Sequence, residues 1–413
     1  MQPHGVPNPR SFHVTPGKRR HPLEAPRSST SVLGTRKKPN QPPTMASENQ
    51  LNDALFRLSL NALKEKNAAS AVVSPFSIAM ALAAVNVGAK DKTSQEITDV
   101  AFNGVPVEEV AAWFRQKLDD MKKYTSPLAV ASAVYLDKTL KMLEQYKTAV
   151  AKNFDTVLES ADFRGNPGAE RATLNEYVEK NTGGHIKNLF GEDDITSDTR
   201  LVTVNAIYMK AAFHVRFRKE ETKDAAFHNE DGSTKQLQTM HDTRKGRFFE
   251  TDEFIYGHFA FVDHGFAFFV AVPKKSHLAN LKESFTTSNQ SFSSAHSGAK
   301  HVPYMHIALP KFNSEGSYKL KETLSQLGIS DLFNANSANL KGITDEQVHV
   351  EKVIHKAILE LDEDGVTAAA VTAMGFEPMC LDMSREERNL KADRPFLYGV
   401  VYNGTPLFVG QYY

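Results

Sequence analysis

The chain has 413 residues, of which 41% are hydrophobic and 24% are charged, a composition typical of soluble globular proteins. Its 49 basic and 49 acidic side chains leave no net charge, so charge gives no support for a nucleic-acid partner or for binding to an anionic membrane. The single cysteine excludes an intrachain disulfide and a thiolate zinc cluster, and no apolar run is as long as a membrane-spanning helix.

Residues 1–44 differ in composition from the rest of the chain. They are rich in proline, serine and basic residues, and they lack the continuous apolar core of a secretory signal peptide. We predict that they form a disordered basic extension and that residues 45–413 form one domain. The absence of a signal peptide favours a cytoplasmic protein. An incorrectly assigned N-terminus, or unconventional secretion, would instead make it extracellular.

The rest of the chain reads as a mixture of helices and strands. The apolar spacing of residues 51–60 and 146–154 predicts two helices. Residues 201–208 and 266–272 are rich in strand-forming side chains, and Pro273 ends the second of these runs. Residues 286–298 are rich in serine, threonine and asparagine, which predicts a surface loop.

The most informative segment is 363–373, with the sequence EDGVTAAAVTA. Two acids and a glycine lead into small residues without proline or charge. On helix propensity alone, this run is an alanine-rich helix. As a strand it would alternate, so that Val366, Ala368, Ala370 and Thr372 would share one face, all of them small enough to enter a packed sheet.

The sequence gives little support for an enzyme. It contains no nucleophile elbow, no HExxH zinc motif and no phosphate-binding loop. The densest group of its 15 histidines is His241, His258 and His264, which we interpret as surface or strand-end residues. We therefore predict no catalytic residues, no metal site and no cofactor.

Many segments, in order along the chain, resemble the motifs of the serpins, a family of serine protease inhibitors. The resemblance extends from about Glu48 to the C-terminus. The departures from the usual pattern include Tyr177 and Phe213 where tryptophan is usual, and Ala211 where glycine is usual. The matching segments are 73–78 (VSPFSI), 175–179 (NEYVE) with Thr182 and Ile186, 204–210 (VNAIYMK), 309–312 (LPKF), 327–333 (LGISDLF), 353–360 (VIHKAILE), 394–398 (RPFLY) and 406–410 (PLFVG).

The resemblance implies an α+β fold, with about nine helices around three β-sheets and an exposed reactive-centre loop at about 363–390. It also implies suicide inhibition by a monomer. A serine protease forms a covalent acyl-enzyme with the loop, and the cleaved loop then enters the central sheet as a new strand. Cysteine proteases are a second class of target. The hinge of this loop comprises Glu363, Gly365, Val366, Ala368, Ala369, Ala370 and Thr372.

The alternative is a serpin that has lost inhibition and acts as a carrier, a chaperone or an interaction protein. Large, charged or proline residues in the hinge would favour that alternative, and residues 365–373 contain none. The hinge therefore favours an inhibitor.

The reactive bond follows from a count along the loop. In inhibitory serpins the hinge glutamate usually precedes the specificity residue by sixteen positions, which from Glu363 leads to Met379 and to cleavage at Met379–Cys380. From Gly365 to Met379 the extended chain measures about 50 Å, enough to carry a protease across such a domain. A methionine suits a chymotrypsin-, cathepsin G- or elastase-like protease. Arg385 is the alternative site.

Four polar residues match the part of the serpin fold that lies beneath the central sheet where it must open. They are Ser74, Ser77, Asn205 and His355. Since buried polar groups need partners, we expect these side chains to be hydrogen-bonded to one another. Their expected role is structural: they gate insertion and perform no chemistry.

Overall fold

A computed structural model describes residues 44–123, 127–275, 277–366 and 386–413. Within these ranges the chain forms nine α-helices and sixteen strands. The helices are α1 Met45–Lys64, α2 Pro75–Asn86, α3 Asp91–Phe102, α4 Val107–Lys122, α5 Glu144–Asn153, α6 Pro167–Asn181, α7 Leu278–Thr286, α8 Phe292–Gly298 and α9 Lys321–Gln326. No helix among these is both long and apolar enough to cross a membrane.

The strands in chain order are β1 Ala71–Val73, β2 Leu128–Asp137, β3 Val157–Ala161, β4 Leu201–Met209, β5 Ala211–Ala212, β6 Thr222–His228, β7 Thr234–Glu250, β8 Phe254–Ala260, β9 Phe266–Pro273, β10 Lys300–Pro310, β11 Phe312–Lys319, β12 Lys352–Asp362, β13 Gly365–Val366, β14 Glu387–Lys391, β15 Phe396–Tyr402 and β16 Thr405–Tyr412. The mixed α+β class predicted from the sequence is confirmed.

The central sheet has seven strands, in the order β3-β2-β4-β12-β13-β5, with β11 paired to β12. Its middle is unusual, because β4 and β12 run parallel between antiparallel neighbours, and residues 352–358 lie opposite residues 202–208. We call this parallel pairing the seam. Every residue of β4 is buried, so the seam lies inside the molecule.

The two faces of the central sheet are covered differently. One face packs on α6, where Leu174 and Val178 meet Val204 and Ile354. The other face belongs to the main core, which it shares with α2 and the second sheet. Ser74 caps α2 and Pro75 opens it, and all twelve residues of this helix are buried. The N-terminus of α2 therefore lies deep in the protein, beneath the seam.

The second sheet has nine strands, in the order β1-β16-β15-β9-β8-β7-β10-β14, with β6 paired to β7. The sequence predicted three sheets. In the described residues, the 17-residue strand β7 pairs with β6 through residues 234–240, with β10 through residues 239–248 and with β8 through residues 247–250. It thereby joins two of the expected sheets into one.

The predicted helices and strands correspond to α1, α5, β4 and β9, which confirms them, although α5 ends at Asn153, one residue before the predicted end. The predicted loop at 286–298 is wrong over its second half, because residues 292–298 form α8 with Ser291 as its N-cap. Residues 387–390, which we assigned to the reactive-centre loop, belong to β14, whose parallel pairing with β10 fixes them. The extension at 1–44 lies outside the described residues except for Thr44, which caps α1, and stays a prediction.

Candidate functional site

The chain reverses direction at the C-terminal end of β12, which we call the upper end of the central sheet. After Asp362 it turns through Glu363 and Asp364 and returns as Gly365–Val366, which pairs antiparallel with β12 on one side. On its other side the same pair of residues is antiparallel to β5, the continuation of β4. Gly365 and Val366, which we call the wedge, therefore lie between strands that are direct neighbours lower in the sheet.

The backbone of the wedge requires a glycine at its first position. Gly365 has a φ of +142°, and a Cβ there would lie 2.2 Å from the carbonyl oxygen of Ala211. Val366 follows with no exposed surface, its side chain packed into the main core. The residues at 365 and 366, which the sequence analysis predicted as hinge positions, are thus part of the central sheet.

The carboxylate of Glu363 holds the turn in place. It is 5% exposed, accepts a hydrogen bond from the Thr222 hydroxyl at 2.7 Å and pairs with Lys311 Nζ at 2.8 Å. Burial opposes ionisation of this carboxyl, but the bonds from Lys311 and Thr222 outweigh it and lower the pKa of Glu363 below its usual value. Glu363 therefore stays charged at neutral pH.

The backbone of the turn is held as well. The N–H of Phe217 donates to the carbonyl of Glu363, and the N–H of Phe213 donates to that of Asp364, both at 2.9 Å. Arg216 pairs with the Asp364 carboxylate at 3.1 Å. The segment 213–222, which we call the gate segment, thus supplies two backbone N–H groups and the hydroxyl of Thr222 to this turn.

His355 lies at the middle of the seam, directly opposite Asn205. Its Nε2 accepts a hydrogen bond from the backbone N–H of Ser74 at 3.0 Å, and its Nδ1 is 2.7 Å from Asn205 Oδ1. Because Nε2 accepts, Nδ1 carries the proton and donates it to Asn205. Burial lowers the pKa of His355 to about 3, so the ring is neutral.

The two serines complete this buried cluster. Ser77 Oγ donates to Asn205 Oδ1 at 2.8 Å, and Asn205 Nδ2 donates back to the Ser77 carbonyl at 2.5 Å. Ser74 Oγ donates to the carbonyl of Leu407 in β16 at 2.6 Å. The cluster therefore ties α2 to both strands of the seam and to the second sheet.

The predicted site residues thus fall into two groups. Ser74, Ser77, Asn205 and His355 form the cluster under the seam, and Glu363, Gly365 and Val366 form the turn and wedge above it. The predictions at Ala368, Ala369, Ala370, Thr372, Met379, Cys380 and Arg385 concern positions outside the described residues.

Sequence reasoning missed the partners of Glu363. Lys311 lies within the LPKF segment, which was noticed only as a family motif, and nothing local marked Thr222. The interpretation of His258 as a surface or strand-end residue is wrong. His258 is half-buried in the middle of β8, and its ring stacks on that of His296 at 4.5 Å. Among the described residues, no group of three or more possible ligands is arranged to hold a metal.

Comparisons with known proteins agree with this geometry. The family model described as "Serpin (serine protease inhibitor)" matches residues 49–413. Human leukocyte elastase inhibitor is 30% identical over 88% of this chain and 99% of its own length, and human Serpin B4 is 33% identical over 82% and 92%. The crystal structure of tengpin, a thermophilic serpin in the native state, superposes with a TM-score of 0.78 at 19% identity, covering 91% of this chain and 96% of its own.

We predict that acid weakens the native state through His355. The pKa of His355 is near 6.5 in the unfolded chain and about 3 in the native state. Between these values the unfolded chain binds a proton at His355 and the native state does not. The stability contributed by the neutral ring is fully present above pH 6.5 and is lost as the pH falls from 6.5 toward 3, by about 2 kcal/mol at pH 5. Urea unfolding at pH 7.5 and pH 5 measures this change.

His355→Gln should reduce the difference between the two pH values by roughly that amount, whatever it does to stability at pH 7.5. The matched control is His301→Gln at an exposed position in β10, which should leave the pH dependence as it is in the unmodified protein. An unchanged pH dependence in His355→Gln would show that His355 does not titrate on unfolding as described.

Proposed function

Because this chain belongs to the serpin family, we propose that it inhibits serine proteases as a suicide substrate, trapping the acyl-enzyme by insertion of its cleaved loop along the seam. The observation that carries this proposal is the wedge. Gly365 and Val366 already occupy the position of an inserted strand, antiparallel to β12 on one side and to β5 on the other. Insertion would therefore extend a pairing that exists in the intact protein, so the first residues of the new strand need not separate β12 from β5.

The chemical step is ordinary proteolysis that stops at the acyl-enzyme, before its ester is hydrolysed. The protease's serine Oγ attacks the carbonyl carbon of Met379, the bond to Cys380 breaks, and the new amine of Cys380 leaves with the C-terminal part of the chain. An ester now joins the protease to Met379. The N-terminal part of the loop is free to move at the same moment, so insertion competes with hydrolysis of this ester by water.

The register of the wedge predicts where each loop residue would arrive. Leu361 lies opposite Val366, and Ala211 lies opposite Val366 on the other side. Continued without a bulge, this register brings Thr372 between His355 and Asn205. Its side chain would share the face of Val366, since residues two apart in a strand face the same way.

This arrival has a chemical consequence. A strand that enters the seam moves its two edges apart by roughly 5 Å, which breaks the hydrogen bond between His355 and Asn205. The Thr372 hydroxyl both donates and accepts, so it can satisfy the two groups that lose each other. Ala368 and Ala370, which precede it on the same face, need no partner. We infer that Thr372, the polar residue on this face of the new strand, would lie where His355 and Asn205 need a new hydrogen-bond partner.

The same register favours Met379 over Arg385 as the cleavage site. It brings residue 375 opposite Lys352, the first residue of β12, and residue 376 opposite Leu201, the first residue of β4. Residues 377–379 would then extend about 10 Å beyond the sheet, which leaves a protease held at its lower edge. Cleavage at Arg385 would leave residues 377–385, a tether of roughly 30 Å that need not press the protease against the domain.

Methionine at the cleavage site supports a chymotrypsin-, cathepsin G- or elastase-like target. Its side chain is apolar and adaptable, and it offers no charge to the carboxylate pocket of a trypsin-like protease. The name of the human relative, leukocyte elastase inhibitor, agrees with this class of target.

A charge on the inward face of the hinge should abolish inhibition. By the register of the wedge, Ala368 would arrive opposite Leu359 and Met209, both of them buried. Ala368→Arg would therefore bury an unpaired charge, and the ester should be hydrolysed before insertion is complete. We expect a cleaved chain on a denaturing gel and no complex that survives denaturation.

The matched control is Thr367→Arg, one residue earlier. This position would face the opposite side of the sheet, beside the half-exposed Glu360 and the exposed Lys210, where an arginine stays in solvent. It should form the complex at a stoichiometry close to that of the unmodified protein. Equal complex formation by Ala368→Arg and Thr367→Arg would contradict the inserted-strand account.

The released peptide identifies the bond. An elastase- or chymotrypsin-like protease should release a peptide that begins Cys380-Leu381-Asp382, read by mass spectrometry of the complex. Met379→Arg should redirect inhibition to trypsin-like proteases, because arginine pairs with the carboxylate in their pocket. If the unmodified protein instead traps trypsin and releases a peptide beginning Glu386-Glu387, Arg385 is the site and the Met379 assignment is wrong.

A further inference from the structure

A buried arginine lies directly behind the gate segment. Arg244, in β7, has a side chain that is 4% exposed, and its guanidinium pairs with the Asp242 carboxylate at 2.6 Å. Burying a charge is costly unless the charge is paired and hydrogen-bonded, so we asked which contacts of Arg244 offset this cost. The motifs that identified the family do not include this position.

The guanidinium makes two contacts with the gate segment itself. It stacks over the ring of Phe217 with 3.9 Å between its central carbon and the ring centroid, and it donates a hydrogen bond to the carbonyl of Val215. The rings of Phe259 and Phe213 lie further out, at 5.4 and 5.9 Å. A flat, delocalised cation suits this site, since it can stack on an aromatic face and donate in its own plane at the same time.

These contacts lead in one further step to the start of the loop. Phe217, on which Arg244 stacks, donates its N–H to the carbonyl of Glu363. Phe213 and Thr222, at the two ends of the gate segment, bind Asp364 and the Glu363 side chain. The path therefore runs from Asp242 through Arg244 and the gate segment to the turn that sets the wedge.

We propose that Arg244, oriented by Asp242, is a positioning residue that holds the gate segment so that the wedge stays paired in the intact protein. This inference rests on the proposed function, because the wedge matters to inhibition only if the loop inserts. Arg244 touches neither the protease nor the reactive bond. It acts by keeping Gly365 and Val366 in register with β12 and β5, so that the rest of the new strand can pair without first finding this register.

The consequence is a separation of two kinetic steps. Attack of the protease on Met379 does not involve the gate segment, so the rate constant for formation of the acyl-enzyme should not depend on Arg244. Insertion must begin at the wedge, so a loosened wedge slows insertion while ester hydrolysis continues. The stoichiometry of inhibition, meaning inhibitor molecules consumed for each protease trapped, therefore rises.

The test compares Arg244→Met with Arg247→Met in the full chain, with an elastase-like protease. Arg247 lies in the same strand but donates to the carbonyl of Ala299, far along the chain from the gate segment. Arg244→Met should raise the stoichiometry several-fold, on the order of threefold to tenfold, with the rate constant of initial attack unchanged. Arg247→Met should change neither quantity.

Two further variants distinguish positioning from general stability. Arg244→Lys keeps the charge beside Asp242 but loses the flat stacking surface, so its stoichiometry should lie between those of the unmodified protein and Arg244→Met. Gly365→Ala disrupts the wedge directly, so adding Arg244→Met to it should raise the stoichiometry little further. Fully independent effects, or an unchanged stoichiometry in both Arg244 variants, would overturn the proposal.

A second measurement does not depend on inhibition. Amide hydrogen exchange of the intact protein at residues 361–366 should be faster in Arg244→Met and unchanged in Arg247→Met. If the unmodified protein forms no stable complex, the proposed function fails, and this measurement still decides whether Arg244 holds the wedge. Equal exchange in Arg244→Met and the unmodified protein would contradict the role assigned to Arg244.

Discussion

The parallel pairing of β4 with β12 is the constraint on which the rest of the structure depends. All other pairings made by these two strands in the described residues are antiparallel. Parallel ladders are slightly less stable per residue, and this one leaves the sheet able to exchange one parallel ladder for two antiparallel ones if a strand enters from above. The wedge shows that the upper end of the seam has already made this exchange over Gly365 and Val366.

The proposed insertion requires the seam to open, and apolar packing alone would not restrict which strand enters. Here the buried hydrogen bond from His355 to Asn205 closes it, and the serines at the start of α2 fix both side chains. Breaking such a bond without a replacement is costly, which keeps the seam closed, whereas a strand with a hydroxyl at the right position removes that cost. At the upper end, the Glu363 carboxylate and the gate segment hold the turn from which the proposed new strand would grow.

The sequence predicted much of this, because the relevant signals are local. The glycine at the turn and the serines at the start of α2 each serve a conformation that neighbouring residues define. Contacts between distant segments were not predictable. Ser291, the N-cap of helix α8, binds Asp53 at 2.8 Å, and Phe292 stacks on Phe56 at 4.3 Å. Tertiary packing therefore stabilises a serine-rich segment of low helix propensity. Arg244 was missed for the same reason, because Phe217, on which its guanidinium stacks, lies in the connection between β5 and β6.

A thermal melt of the intact protein against the protein cleaved within residues 374–380 tests the central claim most directly. If the cleaved loop enters the seam, the new strand adds two antiparallel ladders in place of one parallel ladder, and the midpoint should rise on the order of 20 °C or more. Cleavage would then stabilise the protein, the reverse of what cutting an ordinary surface loop does. Equal midpoints for the intact and cleaved protein would contradict insertion along the seam.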